Sequence, residues 1–174
     1  VRNSLASGSI SAKGAGVALS GSHQAGGALN VAISQDVELS NSTLASQGDM
    51  RLSAAGKVQM TGGGTNSAGA LAVSSGQAMT LSNTSLISRG AATLSSGGTL
   101  SSTGSAVSAG ESLALSGGQL VLDGQSRADA AADIRLTGST VSNQGQVNAG
   151  RDIALSGDRV SSSGQLAAKG RLDV

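Results

Sequence analysis

Apolar residues along this chain recur in pairs separated by one residue, and each pair is followed by a hydroxyl. The pattern reads Val17-Ala18-Leu19-Ser20, Val37-Glu38-Leu39-Ser40, Val58-Gln59-Met60-Thr61 and Met79-Thr80-Leu81-Ser82, then Leu113-Ala114-Leu115-Ser116, Ile134-Arg135-Leu136-Thr137 and Ile153-Ala154-Leu155-Ser156. Successive copies lie 20, 21, 21, 34, 21 and 19 residues apart, and Thr99-Leu100-Ser101 only partly fills the long interval. A period of two predicts a strand with one buried face. Glu38, Gln59 and Arg135 then point outward between inward neighbours. Each strand is short, roughly three to five residues, and bounded by Gly, Ser or Asn. No sustained helical spacing exists and Gly is frequent, which disfavours helix; Ala130-Ala131-Ala132 is helix-like but too short to matter.

A longer period is superposed. At an offset of 42 residues Gly27 falls on Gly69, Leu29 on Leu71, Val31 on Val73 and Leu39-Ser40-Asn41 on Leu81-Ser82-Asn83. At an offset of 19 near the C-terminus, Val141 falls on Val160, Gly145 on Gly164, Val147 on Leu166 and Ile153 on Leu172. Short strands at this spacing predict the rungs of a parallel β-helix, each with about three strands and three turns. The expected fold is all-β: one solenoid over residues 1–174, with about 8–9 rungs of 19–21 residues and a length of roughly 40 Å at the inter-strand spacing. No rung buries its apolar face alone, so stability is a sum over neighbouring rungs.

Composition agrees. The 174 residues include 27 Gly and no Pro, Cys, Phe, Tyr or Trp. Pro would remove an N–H from the rung-to-rung ladder, Gly and Asn serve corners with positive φ, and aromatic rings stack poorly in a narrow uniform interior. Absence of Cys excludes a disulfide framework and a zinc–thiolate site. No apolar run approaches the roughly 20 residues of a membrane-spanning helix. Net charge is +1, and with no aromatics nucleic-acid binding is not expected. The start at Val1 and the end within a repeat read as an internal piece of a longer fibre.

The run Ser142-Asn143-Gln144-Gly145, followed by Ala149-Gly150-Arg151-Asp152-Ile153-Ala154-Leu155-Ser156-Gly157, resembles the central repeats of the filamentous haemagglutinin family of two-partner secretion exoproteins; Gly76-x-x-Met79-x-Leu81-Ser82-Asn83-x-x-Leu86 is a variant. Contact-dependent inhibition toxins and haemolysins share such repeats. The resemblance implies export through a dedicated outer-membrane β-barrel transporter, folding outside the cell into a β-helical fibre, and a secreted or bacterial cell-surface location. It implies a virulence role in adhesion to host cells and in biofilm, with host receptors or glycans as partners. The family's Asn-Pro-rich secretion motifs and an Arg-Gly-Asp string are absent.

Candidate chemistry is sparse. His23, the only histidine, has no Gly-x-Ser-x-Gly nucleophile elbow to serve and reads as a solvated loop residue. Asp133, Asp152 and Arg171 are 19 apart and stack on adjacent rungs. They read as a surface ladder in which Arg171 offsets the carboxylates, rather than as the convergent pair of a polysaccharide-cleaving site. Asn41-Ser42-Thr43 and Asn83-Thr84-Ser85 match a glycosylation sequon but read as corner asparagines. Gly62-Gly63-Gly64 is not a phosphate loop, since no Lys-Ser/Thr or helix follows. Residues 127–174 hold 11 of the chain's 21 charged groups. Arg135, Arg151, Arg159, Lys169 and Arg171 are therefore the candidate contacts for a sulfated, heparin-like glycan. No catalytic residue, metal ligand or cofactor is expected. The leading expectation is a rigid rod segment of an adhesin fibre, not an enzyme; the alternative is a sulfated-glycan binding module in 127–174.

Overall fold

The structure is a computed structural model that describes residues 3–174. Among these residues every regular element is a strand, and every strand pairing is parallel. The chain winds as a β-solenoid of about eight turns, and each turn lays down three faces.

The first face is a nine-stranded sheet running from Ile10–Gly14 through Leu29–Ile33 and Met50–Ala54 to Ile153–Ser156 and Leu172–Asp173. Its inward columns stack Leu29, Met50, Leu71, Ala92, Leu113, Ile134 and Ile153. The second and third faces form one 14-stranded sheet. The second stacks Val37, Val58, Met79, Leu100, Leu120 and Val141. The third stacks His23, Leu44, Thr65, Leu86, Val107, Ala128 and Val147. Alternation along each strand puts these side chains in a shared lumen, where most are under 5% exposed. Withdrawing a leucine side chain from water contributes about 1.5–3 kcal/mol, and each turn repeats the gain against its neighbours.

The 34-residue interval in the motif is a change of face. Met79 lies on the second face and its equivalent one turn later is Leu100, whereas Leu113 belongs to the first face. The motif thus follows one face up to residue 82 and another from residue 113, with no broken turn between them.

Strands are also longer than the expected three to five residues in part of the rod. Val37–Ser46 and Val58–Ser67 are ten residues each and run from the second face onto the third without a break. Their inward positions are 37, 39, 42, 44 and 46, so the parity slips by one between Leu39 and Ser42. Two successive outward residues make a corner, and the second of them is left-handed: Asn41 has φ 49°, Gly62 65°, Asn83 51° and Gly104 57°. These four stack as one column. A Cβ on Gly62 would lie 2.4 Å from Asn41 Oδ1, and one on Gly104 would lie 2.7 Å from Asn83 Oδ1. Each asparagine side chain occupies the space where its successor's Cβ would stand. The 42-residue period is therefore Asn–Gly alternation at a single corner.

After residue 122 the corner changes. Turns of 21 residues, such as Ala106 to Arg127, give way to turns of 19, Arg127 to Gln146 to Gln165. The link between second and third faces is then residues 123–126 once, followed by 144–145 and 163–164.

Candidate functional site

The charged half of the rod begins at this change of corner. Its side chains reach three separate parts of the surface. Arg135 projects from the first face, stacked between Ala114 and Ala154. Arg151, Lys169 and Arg171 lie at the corner joining the third face to the first, beside the ends of Gln146–Ala149, Gln165–Ala168 and the start of Leu172–Asp173. Arg159 opens a second-face strand and stacks on Thr140, at another corner. The five candidate glycan contacts thus do not form one patch.

Two of the five are paired. Arg151 grips Asp133 through Nε, 2.9 Å from Oδ1, and through its terminal nitrogen to Oδ2. Arg171 Nε donates to Asp173 Oδ1 at 2.7 Å. Neighbouring Arg127 pairs with Asp129, whose other oxygen accepts from Asn148 Nδ2 at 2.8 Å. The Arg151 hydrogen bond holds the Asp133 carboxyl below the usual aspartate range and pushes the guanidinium upward; Asp129 acts likewise on Arg127. Among the described residues, Arg135, Arg159 and Lys169 make no ion pair. Lys169 shares a shallow trough of about 380 Å³ with Asp129, Asn148, Ala131 and Gly150.

Asp133 and Asp152 do stack, and each carboxylate is spent on the next turn's backbone. Asp152 N–H donates to Asp133 Oδ1 at 3.3 Å, and Arg171 N–H to Asp152 Oδ1 at 2.7 Å. The guanidinium that offsets this ladder is that of Arg151; Arg171 contributes its amide and sends its side chain to Asp173. Asp36 and Asp49 do the same elsewhere, accepting from the amides of Lys57 at 2.7 Å and Ala70 at 2.9 Å. Under three of these carboxylates the residue before the donor is glycine: Gly56, Gly69 and Gly170, whose added Cβ would fall 2.1–2.3 Å from the carboxylate oxygen. Under Asp133 that residue is Arg151, and there the hydrogen bond is the long one.

His23 is not a solvated loop residue. It is 3% exposed and faces the lumen, one turn before Leu44. Nε2 lies 3.2 Å from the Ser20 carbonyl, which can only accept, so that nitrogen carries the hydrogen; Ser4 Oγ is 2.9 Å from Nδ1. The ring borders an apolar void of about 180 Å³ between Ile10, Ala12, Val17, Leu19 and Val31. The signal for this placement is the 21-residue spacing to Leu44, an inward column.

Asn41 and Asn83 are exposed corner residues, while Ser42 and Thr84 beside them are buried. Ser42 Oγ donates to the Leu19 carbonyl at 2.6 Å and Thr84 Oγ1 to the Ser82 carbonyl at 3.1 Å. Gly62-Gly63-Gly64 lies within the strand Val58–Ser67. The inward serines were missed from the sequence. Ser46, Ser67 and Ser88 stack at the third corner and donate to turn carbonyls, Ser46 and Ser67 to Gly48 and Ser88 to Gly90, at 2.8–2.9 Å. The repeated Ser-x-Gly spacing is their signature.

No known family model matches the chain, and no solved structure matches it. A 49-residue stretch is 55% identical to the tRNA nuclease CdiA of Escherichia coli (strain NC101), which covers 28% of this chain and 2% of that protein. Together with the solenoid, this fits a filamentous haemagglutinin-like repeat at a coarse level.

Proposed function

We propose that this chain is a structural repeat segment of a secreted two-partner-secretion, adhesin-like rod, exported through an outer-membrane transporter and displayed at the bacterial surface. The observation that carries the reading is the uninterrupted parallel stack: the same lumen columns continue from turn to turn, so the segment can be extended without changing its cross-section. The match to a short part of CdiA supports it. The segment acts as a spacer that holds distal binding regions away from the cell, and it is not itself catalytic. Beads coated with the folded segment should not adhere to host cells above a blank. Adhesion by the segment alone would refute the spacer role. Turnover of an acidic polysaccharide that is lost on Asp133→Ala would refute the non-catalytic one.

A second reading, binding of a sulfated glycan, is favoured by the unpaired cations Arg135, Arg159 and Lys169. Retention on a heparin column should then fall when these three are reversed to Glu, and should change less for the ion-paired Arg151 and Arg171. Retention unchanged by the triple reversal removes this reading.

A further inference from the structure

The change from 21-residue to 19-residue turns coincides with a change in what fills the lumen. In the second-face column before the corner, Leu39, Met60 and Leu81 are succeeded by Ser102, Leu122, Asn143 and Ser162. Ser102, Ser105, Ser126 and Asn143 are all under 3% exposed, so polar groups occupy interior positions that were apolar. Their hydrogen bonds converge on one side chain. Asp123 Oδ1 accepts from the Gly104 amide of the preceding turn at 3.1 Å, from the Gln125 amide at 3.2 Å and from the Ser126 hydroxyl at 2.6 Å. Ser126 Oγ in turn lies 3.0 Å from Ser102 Oγ. On the far side the turn is packed closely: a Cβ on Gly145 would lie 2.3 Å from the Ser126 carbonyl oxygen. Asn143 closes the next corner through the Gly145 amide and Ser162.

We propose that residues 123–126 form a folding boundary, which divides the rod into a block of 21-residue turns and a block of 19-residue turns that open separately, with the Asp123 carboxylate as the clasp between them. In a solenoid each turn is stabilised only by its neighbours, and opening proceeds in contiguous units set by the weakest joins. Elsewhere the join is spread over several stacked aliphatic side chains. Here, on the second and third faces, part of it is carried by directional contacts to one carboxylate, which are lost together. The first face crosses the boundary with Leu113 on Ile134 and Leu115 on Leu136, so the blocks remain stacked in the native rod and the division shows only when one of them opens.

Hydrogen exchange on the full chain, resolved by peptide, tests this. Val147→Ala should speed exchange over 127–160 by about tenfold or more and leave 50–100 unchanged; Leu86→Ala should do the reverse. Asp123→Ala should expose the Gly104 and Gln125 amides and speed exchange over 127–160 without touching 50–100. Effects of Val147→Ala or Leu86→Ala that cross 123–126 undiminished, including unfolding of the whole chain, overturn the boundary. Unchanged exchange over 127–160 in Asp123→Ala overturns the clasp.

Discussion

At the scale of single residues, the rod is decided by where a Cβ is tolerated and where a hydroxyl has a partner. Gly63 has φ 73°, and a Cβ there would stand 2.1 Å from the Ser42 carbonyl oxygen. Gly63→Ala is therefore expected to cost about 3 kcal/mol or more, whereas Gly8→Ala, with nothing within 4 Å of the added atom, should be tolerated; urea midpoints of the two variants make the comparison. Thr65 gives a change in the opposite direction. Its Oγ1 is buried in the lumen between Leu44 and Leu86 with no hydrogen-bond partner. Thr65→Val removes that stranded group and should stabilise by about 1 kcal/mol, read as a higher urea midpoint at unchanged slope. Corner asparagines were legible in the sequence because Asn41 and Asn83 share a position in the repeat. The burial of His23 was not, because a polar side chain in an inward column is recognised only once the column is known from its neighbours.

At the scale of the element, short strands are held by the corners as much as by their ladders. The capping aspartates supply acceptors for amides that begin the next turn's strands, and the inward serines do the same for turn carbonyls. Two of these carboxyls titrate away from their ordinary value. Burial raises the Asp123 carboxyl, but hydrogen bonds from Ser126, Gly104 and Gln125 outweigh it and leave it low; the hydrogen bond from Arg151 lowers Asp133. A carboxyl that is lower in the folded state contributes stability that is fully present above the unfolded value of about 3.9 and is lost as pH falls through the folded value. The rod should accordingly lose stability below about pH 4, and Asp123→Asn should flatten part of that loss; an acid profile identical to that of the unsubstituted chain would remove Asp123 from the account. Strand identity and period were readable from alternation alone. Strand length was not, since a one-residue parity slip at residues 40–41 lets a ten-residue strand turn a corner while looking like two short ones. The same slip explains why one motif could be followed along two different faces.

At the scale of the whole molecule, the fold is a stack whose turns are interchangeable only in part. Deleting residues 62–103 brings Gly104 next after Asn41, keeps asparagine on glycine, and should give a folded rod shorter by two inter-strand spacings, about 10 Å. Deleting residues 62–82 sets Asn83 directly after Asn41, with its Cβ where the Asn41 side chain already lies. That variant should fold less stably although it loses fewer residues, as small-angle scattering and thermal unfolding would show. The all-β solenoid with about eight turns was legible because every turn repeats the same small set of columns. The candidate surface was less so, since charge counted along the chain does not reveal that Arg151 and Arg171 are already paired or that Arg159 lies at another corner. The asparagine–glycine corner also bears on descent. If such rods grow and shrink by recombination between similar stretches of gene, this part of the chain can exchange whole pairs of turns freely but not single ones, so its lineages should differ in length by even numbers of turns.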